Sequence, residues 1–347
     1  MKVKQITGDM RNRIVSGEFP PGAMLPNRKI LLEHYDVSVA AFQKTINTLI
    51  AEGFLVSRNS SGVFVRQDPP HLFRLGLALP ISSPAELHVD SLWRKLVLAG
   101  EQFYFEGRKV ELKYYCIGNL HGGGRDIAAL QKDAANQQLC GIVFLRRFPG
   151  ELKLPEGLPM INFEYHPQNT PDGHIWMATD HSALFAMALE RMHQCGVKNV
   201  AVILQASLNN PSLARLKNLA DNSGLFIPPE WLLGLNFELK ESIALRWQIS
   251  GLFSDNQKVQ PDGLIVMNEN FMPLVIDQLL QEGKIPGQNI RIVSHCNWPC
   301  AADEYSGVDY IGFHTEDMLN AFMTGIRSFT VKTTPIVLLQ PRLFKNG

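Results

Sequence analysis

The sequence has 347 residues, of which 45% are hydrophobic, and its 33 basic residues are balanced by 33 acidic ones. This composition predicts a globular protein with enough chain to bury cores in two or three domains, and it excludes a uniformly basic protein. No apolar run reaches the roughly 18 residues of a membrane span, and the first residues lack the apolar core of a secretory signal. We therefore expect a cytoplasmic protein without a membrane partner.

Charge is distributed unevenly along the chain. Residues 1–66 contain nine Lys or Arg against five Asp or Glu, so this segment is positive and the remainder is negative. Such asymmetry is typical of a nucleic-acid-binding module joined to a neutral or acidic partner domain. We therefore expect the N-terminal segment to be the part that contacts nucleic acid.

The first 67 residues show the pattern of a winged helix-turn-helix DNA-binding domain. Apolar residues recur at helical spacing over residues 3–17. Asn27 and Ser38 are suited to cap a second and a third helix, and Gly53 is suited to end the third. The sequence "FLVSRNSSGVFVR" that follows alternates like two strands around a polar turn. Three short helices and a hairpin in this order predict the winged helix-turn-helix at 1–67.

Beyond residue 67 the pattern changes to apolar strands that alternate with helices. Two prolines in "QDPPHLFR" indicate a linker at 68–74, because proline breaks helices and strand interiors. Strands are then predicted at 75–80, 110–116, 141–145, 159–164, 199–204, 263–267 and 290–294. Helices are predicted at 88–106, 126–138, 181–195, 211–223, 241–254, 271–282 and 315–328. This alternation predicts an α/β fold with parallel sheets, arranged as a two-lobed effector-binding and dimerisation domain at 75–347.

Short motifs within residues 3–66 resemble the GntR family of winged-helix regulators. They include Ser16-Gly17, Pro21-Gly22, Leu25-Pro26, Val37-Ser38, Leu49, Glu52-Gly53 and the wing sequence "GVFV" from Gly62. Residues 74–344 resemble, more diffusely, the sugar-binding domains of the lactose-repressor family and of periplasmic binding proteins. The stretches "HIWMATDHSALFAMALERMHQCGVKNVAVIL" and "LLQPRLF" are examples. Together the two halves resemble regulators of the arabinose-repressor type, which implies a repressor with a periplasmic-binding-protein-like effector domain.

The third helix is where this resemblance places the reading of DNA. Helical spacing puts Ala40, Gln43, Lys44 and Asn47 on one face, opposite the apolar stripe. Glutamine can pair with adenine, and alanine or valine can contact a thymine methyl group, so this face can read A·T-rich DNA without arginine. Basic residues nearby would contact phosphates and supply salt-dependent affinity. The predicted DNA-binding residues are Arg28, Lys29, Ser38, Val39, Ala40, Gln43, Lys44, Asn47, Ser61 and Gly62.

The resemblance also implies an effector site at the ends of strands. Carried over by position, its polar residues are Ser82, Ser83, Asp180, Arg215, Asn268 and Asn297. Tyr165 and Trp298 fall near strand ends, where an aromatic ring can stack on a sugar. Cys296 stands where the family has an aspartate, so one acceptor for sugar hydroxyls is missing. We expect the small-molecule effector to be a sugar or a sugar derivative.

Other patterns give no support to metal, cofactor or enzyme chemistry. His295, Cys296, Cys300 and His314 have no standard zinc spacing, and the glycines of "HGGGRD" lack the Gly-Lys-Ser/Thr of a phosphate-binding loop. No nucleophile elbow or dinucleotide fingerprint occurs, so we expect neither an enzyme nor a cofactor.

Two hypotheses for the function stay open. The first is a repressor that binds a pseudo-palindromic operator in double-stranded DNA as a homodimer and responds to the effector. The second is a small-molecule sensor whose N-terminal module contacts a protein instead of DNA. Binding to DNA that depends steeply on salt would separate them.

Overall fold

The computed structural model describes residues 2–58, 61–89, 91–118, 124–145, 152–164, 173–204, 211–234, 241–299, 305–329 and 336–344. The chain forms two compact units. The first consists of Met1–Leu87, Leu96–Met177 and Leu319–Val337, and the second of His88–Lys95, Ala178–Met318 and Leu338–Gly347. Within the described ranges, none of the helices combines the length and apolar character that a bilayer crossing needs.

The first unit begins with a winged helix-turn-helix. Its elements are α1 (Lys2–Val15), α2 (Arg28–Tyr35), α3 (Val39–Glu52) and the antiparallel strands β1 (Leu55–Arg58) and β2 (Gly62–Val65). The three helices and both strands contribute to one apolar core, which includes Met10, Ile14, Leu31, Leu49, Phe54 and Val65. The predicted order of three helices and a hairpin is therefore confirmed.

The range predicted as a linker contains regular structure. A one-turn helix, α4 (Pro70–Phe73), occupies most of it, and strand β3 (Arg74–Leu79) begins at its last residue. Pro70 stands in the first helical turn, where the missing N–H of proline is not needed for a helical hydrogen bond. Pro69 and Pro70 are both buried, so this segment packs against the unit instead of running free over its surface.

The first six-stranded sheet has the order β15-β9-β8-β7-β3-β6. Its other strands are β6 (Glu111–Cys116), β7 (Gly141–Leu145), β8 (Met160–Phe163), β9 (Ile175–Thr179) and β15 (Ile336–Leu339). Pairs from β6 through β9 are parallel, and every residue of β3 and β7 is buried. Helix α6 (Ile127–Ala135) contributes Leu130 and Ala134 to the core beside this sheet.

The helix predicted at 88–106 is shorter than expected. The structure has α5 (Ser91–Gly100), followed by a small antiparallel hairpin of β4 (Tyr104–Phe105) and β5 (Arg108–Lys109). Glu106 and Gly107 form the turn, with φ angles of 50° and 74°. A two-residue turn with positive φ at both positions matches the twist of a hairpin and cannot continue a helix.

The second six-stranded sheet has the order β11-β10-β12-β13-β14-β16. Its strands are β10 (Val200–Leu204), β11 (Leu232–Gly234), β12 (Gly263–Val266), β13 (Arg291–His295), β14 (Val308–Gly312) and β16 (Arg342–Phe344). All neighbours are parallel except β16, which runs antiparallel to β14. The remaining helices are α7 (His181–Gln194), α8 (Pro211–Asp221), α9 (Glu241–Leu252), α10 (Met272–Gln281) and α11 (Thr315–Ser328).

The α/β fold class is confirmed, because two largely parallel sheets alternate with helices along the chain. The parallel pairing also fixes where functional groups collect. Carboxyl ends of neighbouring parallel strands meet at one edge of a sheet, and ligands of such folds bind outside that edge. In the second unit, the segments that follow β12 and β13 lie next to each other for this reason.

Candidate nucleic-acid interface and buried polar cluster

Helix α3 has two well-defined ends and one buried side. At its start, the Ser38 Oγ accepts a hydrogen bond from the Ala41 N–H at 3.3 Å. At its end, Gly53 adopts the left-handed conformation with φ 90° and lets the chain turn into β1. The buried side of the helix consists of Phe42, Thr45, Ile46 and Leu49. The opposite side, with the four reading residues predicted for it, therefore faces away from the core.

Hydrogen bonds organise this outer face. The Gln43 Nε2 donates to the Asn47 Oδ1 one turn later, at 2.9 Å, so the two amides form a connected pair. At the helix start, Arg28 from α2 donates to the Val39 carbonyl oxygen at 3.5 Å. These contacts bring the start of α2 and the outer face of α3 together into one continuous surface.

A groove of about 430 Å³ runs between the wing and α3. Its lining includes Arg28 and Gln43 from the two helices and Gly62 at the start of β2. Apolar residues of the domain core, Leu31, Phe42 and Ile46, also line it. All ten predicted DNA-binding residues are exposed, which is where contacts to a nucleic acid require them to be.

Met24 is a lining residue of this groove that the sequence patterns did not single out. Its side chain is 61% exposed, although methionine is normally buried, and its sulfur lies 3.5 Å from the position of a Cβ at Gly62. An apolar side chain beside the wing can contact a deoxyribose or a thymine methyl group. The signal that could have found it is the apolar residue directly before the Leu25-Pro26 motif.

A buried polar cluster lies in the second unit, beyond the ends of β12 and β13. Glu269 is at its centre, and its carboxylate pairs with the Lys95 ammonium. The Glu269 Oε1 also accepts hydrogen bonds from the Ser91 Oγ at 2.5 Å and from the Asn297 Nδ2 at 3.2 Å. Lys95 in turn donates to the Asn297 carbonyl oxygen at 2.6 Å. The cluster thus joins the start of α5 to the loops after two neighbouring strands.

The protonation states of the cluster follow from its burial and its partners. Burial alone raises the pKa of the Glu269 carboxyl, but His295, Lys95 and Ser91 outweigh that effect and the net shift is downward. Burial lowers the pKa of the neighbouring His295 imidazole to about 4, so His295 is neutral near pH 7. Glu269 and the Asn297 side chain act in the opposite direction and raise the pKa of His295, but burial outweighs them. The His295 ring lies 6.0 Å from the Phe313 ring, centroid to centroid.

The structure brings two of the predicted effector residues to this cluster. Asn297 is 5% exposed and contacts Glu269 directly, while Asn268 precedes Glu269 and accepts a hydrogen bond from the Asn270 N–H at 2.9 Å. Cys296, between His295 and Asn297, is fully buried and disulfide-bonded. Asn268 and Asn297 are therefore two predicted effector residues that lie at this end of the sheet, beside Glu269.

The other predicted effector residues lie in separate elements. Ser82 and Ser83 are half-buried in the first unit, after β3. Asp180 caps α7 by accepting from the Ala183 N–H at 2.9 Å, and Arg215 is exposed on α8. Trp298 stacks on the Phe344 ring at 4.9 Å. Tyr165 lies outside the described residues.

Ser91, Lys95 and His295 were missed by the sequence-based assignment. Ser91 and Lys95 are four residues apart, which puts them on one face of a helix, but 174 residues separate Lys95 from Glu269. Helical spacing reveals the pair and gives no indication of its partner. His295 ends an apolar strand, and a polar residue at that position was the available signal.

The N-terminal domain has a recognised family. Residues 2–65 match the family described as bacterial regulatory proteins, gntR family. This range covers α1 through β2, which is the whole winged helix-turn-helix with the groove described above.

Solved structures share the fold of most of the chain. One is a LacI family transcriptional regulator from Mycobacterium smegmatis, with 14% identity and a TM-score of 0.57, covering 78% of this chain and 97% of the other. A periplasmic binding protein/LacI transcriptional regulator from Alkaliphilus metalliredigens, complexed with D-xylulofuranose, has 13% identity, a TM-score of 0.53 and coverages of 78% and 97%. A ribose operon repressor from Lactobacillus acidophilus has 11% identity, a TM-score of 0.51 and coverages of 78% and 96%.

These similarities define the class of the protein. A GntR-type winged helix-turn-helix is joined to a domain with the fold of LacI-type regulators and periplasmic binding proteins. The combination of modules predicted from the sequence is therefore confirmed.

Proposed function

We propose that this protein is a ligand-responsive transcriptional regulator that binds operator DNA through α3 and the wing. The observation that carries the proposal is the groove in which Arg28, Gln43 and Gly62 lie together on a domain of the gntR family. Lysine and arginine side chains around it would neutralise phosphates, and the Gln43 amide would read an adenine edge in the major groove. The effector would control this binding, and repression of the neighbouring gene is the outcome that we propose.

DNA fits this surface better than a protein partner does. The exposed residues of α3 include Gln43 and Asn47, which are polar, together with Val39 and Ala40, which are small and apolar. The nearby Arg28, Lys29 and Lys44 are all positive and solvent-exposed. A protein interface of stable size normally has a buried apolar or aromatic centre with few charges. The ten predicted contact residues include three positive charges and no aromatic side chain, and their apolar members, Val39 and Ala40, are small. This composition favours DNA over the competing hypothesis of a protein-contacting module.

The test is binding of the full chain to its own upstream DNA at several salt concentrations. A scrambled fragment of equal length and composition is the matched control. We expect the native fragment to be preferred, and affinity for both fragments to fall steeply as salt increases because phosphate contacts release counterions. Equal binding to both fragments at every salt concentration would contradict operator recognition. Absence of binding at low salt would favour the protein-contacting alternative.

We further propose that the effector is an uncharged polyhydroxyl compound such as a sugar, bound next to the Glu269 cluster. Lys95 compensates the charge of Glu269, so the cluster offers no net charge to attract an ion. Glu269 Oε1 already accepts hydrogen bonds from Ser91 and Asn297, so we assign the contacts with sugar hydroxyls to the predicted effector residues Asn268 and Asn297. The relative from A. metalliredigens, complexed with D-xylulofuranose, supports a sugar of this kind.

A panel of neutral sugars and their phosphates tests this part of the proposal. D-Xylulose and D-ribose are compared with their phosphorylated forms for the ability to change affinity for the native DNA fragment. We expect a neutral sugar to act at lower concentration than its phosphate, since the Lys95 ammonium in the cluster is already paired with Glu269. A phosphorylated sugar acting at the lower concentration would contradict the neutral-ligand proposal and leave the DNA-binding proposal intact.

A further inference from the structure

We propose that Arg74 is a positioning residue that fixes the orientation of the reading helix α3 against the first sheet. Arg74 is the first residue of β3 and is 9% exposed. Its guanidinium bonds at once to the end of α3 and to the neighbouring strand β6. This inference rests on the proposed function, because the element it positions is the one that would read the operator.

One side of the guanidinium holds the C-terminal end of α3. The Arg74 Nη1 donates to the Glu52 carbonyl oxygen at 3.1 Å. The last carbonyl groups of a helix lack partners within the helix and carry the negative end of its dipole, so a cation is favoured there. The Glu52 carboxylate pairs with a different arginine, Arg11 of α1, at 2.7 Å. The end of the reading helix is therefore held by two arginines at two different groups.

The other side of the guanidinium holds the sheet. The Arg74 Nη2 pairs with the Glu111 Oε2 at 2.9 Å, and Arg74 and Glu111 are register partners on parallel strands. Strand β3 is buried along its whole length and leads directly to the loop that carries Ser82 and Ser83. One rigid strand thus connects the end of α3 with two of the predicted effector residues.

Further contacts also hold the segment between α3 and β3 in place. The Phe54 ring, at the start of the wing, stacks on the His71 ring of α4 with centroids 5.9 Å apart. The Arg327 guanidinium of α11 lies 5.0 Å from the Phe73 ring centroid and donates to the Leu72 carbonyl oxygen at 3.3 Å. The short helix between the winged domain and the first sheet is therefore packed on both sides, and motion of α3 is transmitted instead of being absorbed.

Burial separates this role from contact with DNA. At 9% exposure, Arg74 cannot reach a phosphate, unlike the exposed Arg28. Lysine in its place keeps the charge, but a single ammonium lacks the planar fork that reaches a carbonyl and a carboxylate in two directions. Arg74→Lys should therefore uncouple the two partners without changing the net charge of the winged domain.

The test is amide hydrogen exchange of the full chain, free and bound to the native upstream fragment. Wild type, Arg74→Lys and Glu111→Gln are compared. Arg108→Lys is the matched control, since it makes the same change at an exposed arginine paired with Asp68 at 3.5 Å in the same unit. In wild type and Arg108→Lys, we expect DNA to slow exchange in α3 and also in β3 and β6, by roughly threefold or more. In Arg74→Lys and Glu111→Gln, the slowing should persist in α3 and disappear from β3 and β6.

The outcomes test the role of Arg74 separately from the proposed DNA binding. If DNA slows exchange in α3 of wild type but leaves β3 unchanged, Arg74 does not couple the two elements. Slowing that persists in β3 of both variants would overturn the role equally. A purely structural defect would speed exchange in the free variants without removing the difference that DNA causes. Failure of wild type to bind DNA would instead refute the proposed function.

Discussion

Gln43 and Lys29 are both exposed on the winged domain, yet they should act on DNA in different ways. Lys29→Ala should weaken binding to every sequence and reduce the salt slope by about one, because it removes one phosphate contact. Gln43→Ala should cost ~1–3 kcal/mol on the preferred site alone, because it removes a contact to a base edge. The measurement is a salt titration of each variant on the native and the scrambled fragment.

The Asn47 amide provides an internal control for this pair. Since Gln43 donates to the Asn47 Oδ1, Asn47→Ala should weaken recognition of the native fragment by less than Gln43→Ala and should leave the salt slope unchanged. Identical losses for Lys29→Ala and Gln43→Ala on both fragments would show that the assignment of the two residues to base and phosphate is wrong.

The neutral, buried His295 should make the second unit sensitive to acid. Its pKa of about 4 lies below the ordinary value of 6.5 that it regains on unfolding, so the unfolded chain binds the proton first. Stability should therefore be complete above about pH 6.5 and fall by up to about 3 kcal/mol as the pH drops towards 4. Glu269, Lys95 and His181 are the charged or titratable groups that act on the ring.

The check is the midpoint of thermal unfolding between pH 8 and 4.5 for wild type and His295→Gln. The variant should lose part of the pH dependence. It should not lose all of it, since burial also lowers the pKa of His71 and His174 to about 4. Glu269 adds little in this range, because a carboxyl with a lowered pKa loses its contribution only below its unfolded value of about 4.3. An unchanged profile in His295→Gln would contradict the assignment.

At the scale of elements, the Lys95–Glu269 pair holds the start of α5 to the loop after β12. Lys95→Met should destabilise the protein by about 3–5 kcal/mol, because it leaves the Glu269 carboxylate buried without its counter-charge. Replacing both residues by methionine should recover much of that loss, because no uncompensated charge then remains. Urea unfolding of the single and double variants measures this difference.

An exposed ion pair in the same unit gives the matched control. Arg246 and Asp277 pair on the surface of α9 and α10, with side chains 37% and 53% exposed. Arg246→Met should change stability by about 1 kcal/mol or less, since water already solvates such pairs. Equal effects of Lys95→Met and Arg246→Met would mean that the cluster contributes no more than a surface pair does.

Helices and strands whose apolar residues recur at regular spacing were predictable from the sequence. Elements that depend on a local turn or on pairing with a distant strand were not. The outer face of α3 follows from helical spacing alone, because Phe42, Ile46 and Leu49 define the buried side. The helix predicted at 88–106 extends wrongly into the hairpin at 104–109, since the turn of this hairpin depends on positive φ at Glu106, a conformation that few residues other than glycine adopt. The short strands β11 and β14 were not predicted because their pairing comes from distant partners.

The polar cluster was beyond sequence-based prediction for a related reason. Its members come from three segments, near residues 91–95, 269 and 297, and nothing local marks them as neighbours. Carrying family positions over identified Asn268 and Asn297, because those positions follow strands whose ends meet. It did not identify Lys95, since the helix that carries it was recognised only by its apolar period.

At the scale of the whole molecule, we predict that two chains bind each operator. A two-fold symmetric dimer reads a pseudo-palindromic site with one reading helix in each half. Sedimentation of the protein with the native fragment should therefore give a complex of two chains per DNA, and deleting one half-site should lower the affinity. A complex of one chain with undiminished affinity for a single half-site would contradict the dimer.

The path of the chain through the two units has a consequence for how the protein is made. Both six-stranded sheets take an edge strand from the last described residues, β15 beside β9 and β16 beside β14. On the ribosome, the other described strands of each sheet emerge first, so β9 and β14 lack these neighbours until residues 336–344 have been translated. Open edges are templates for pairing with other chains. The nascent chain therefore exposes these edges of β9 and β14 until β15 and β16 emerge, and chaperone binding in that interval would protect them.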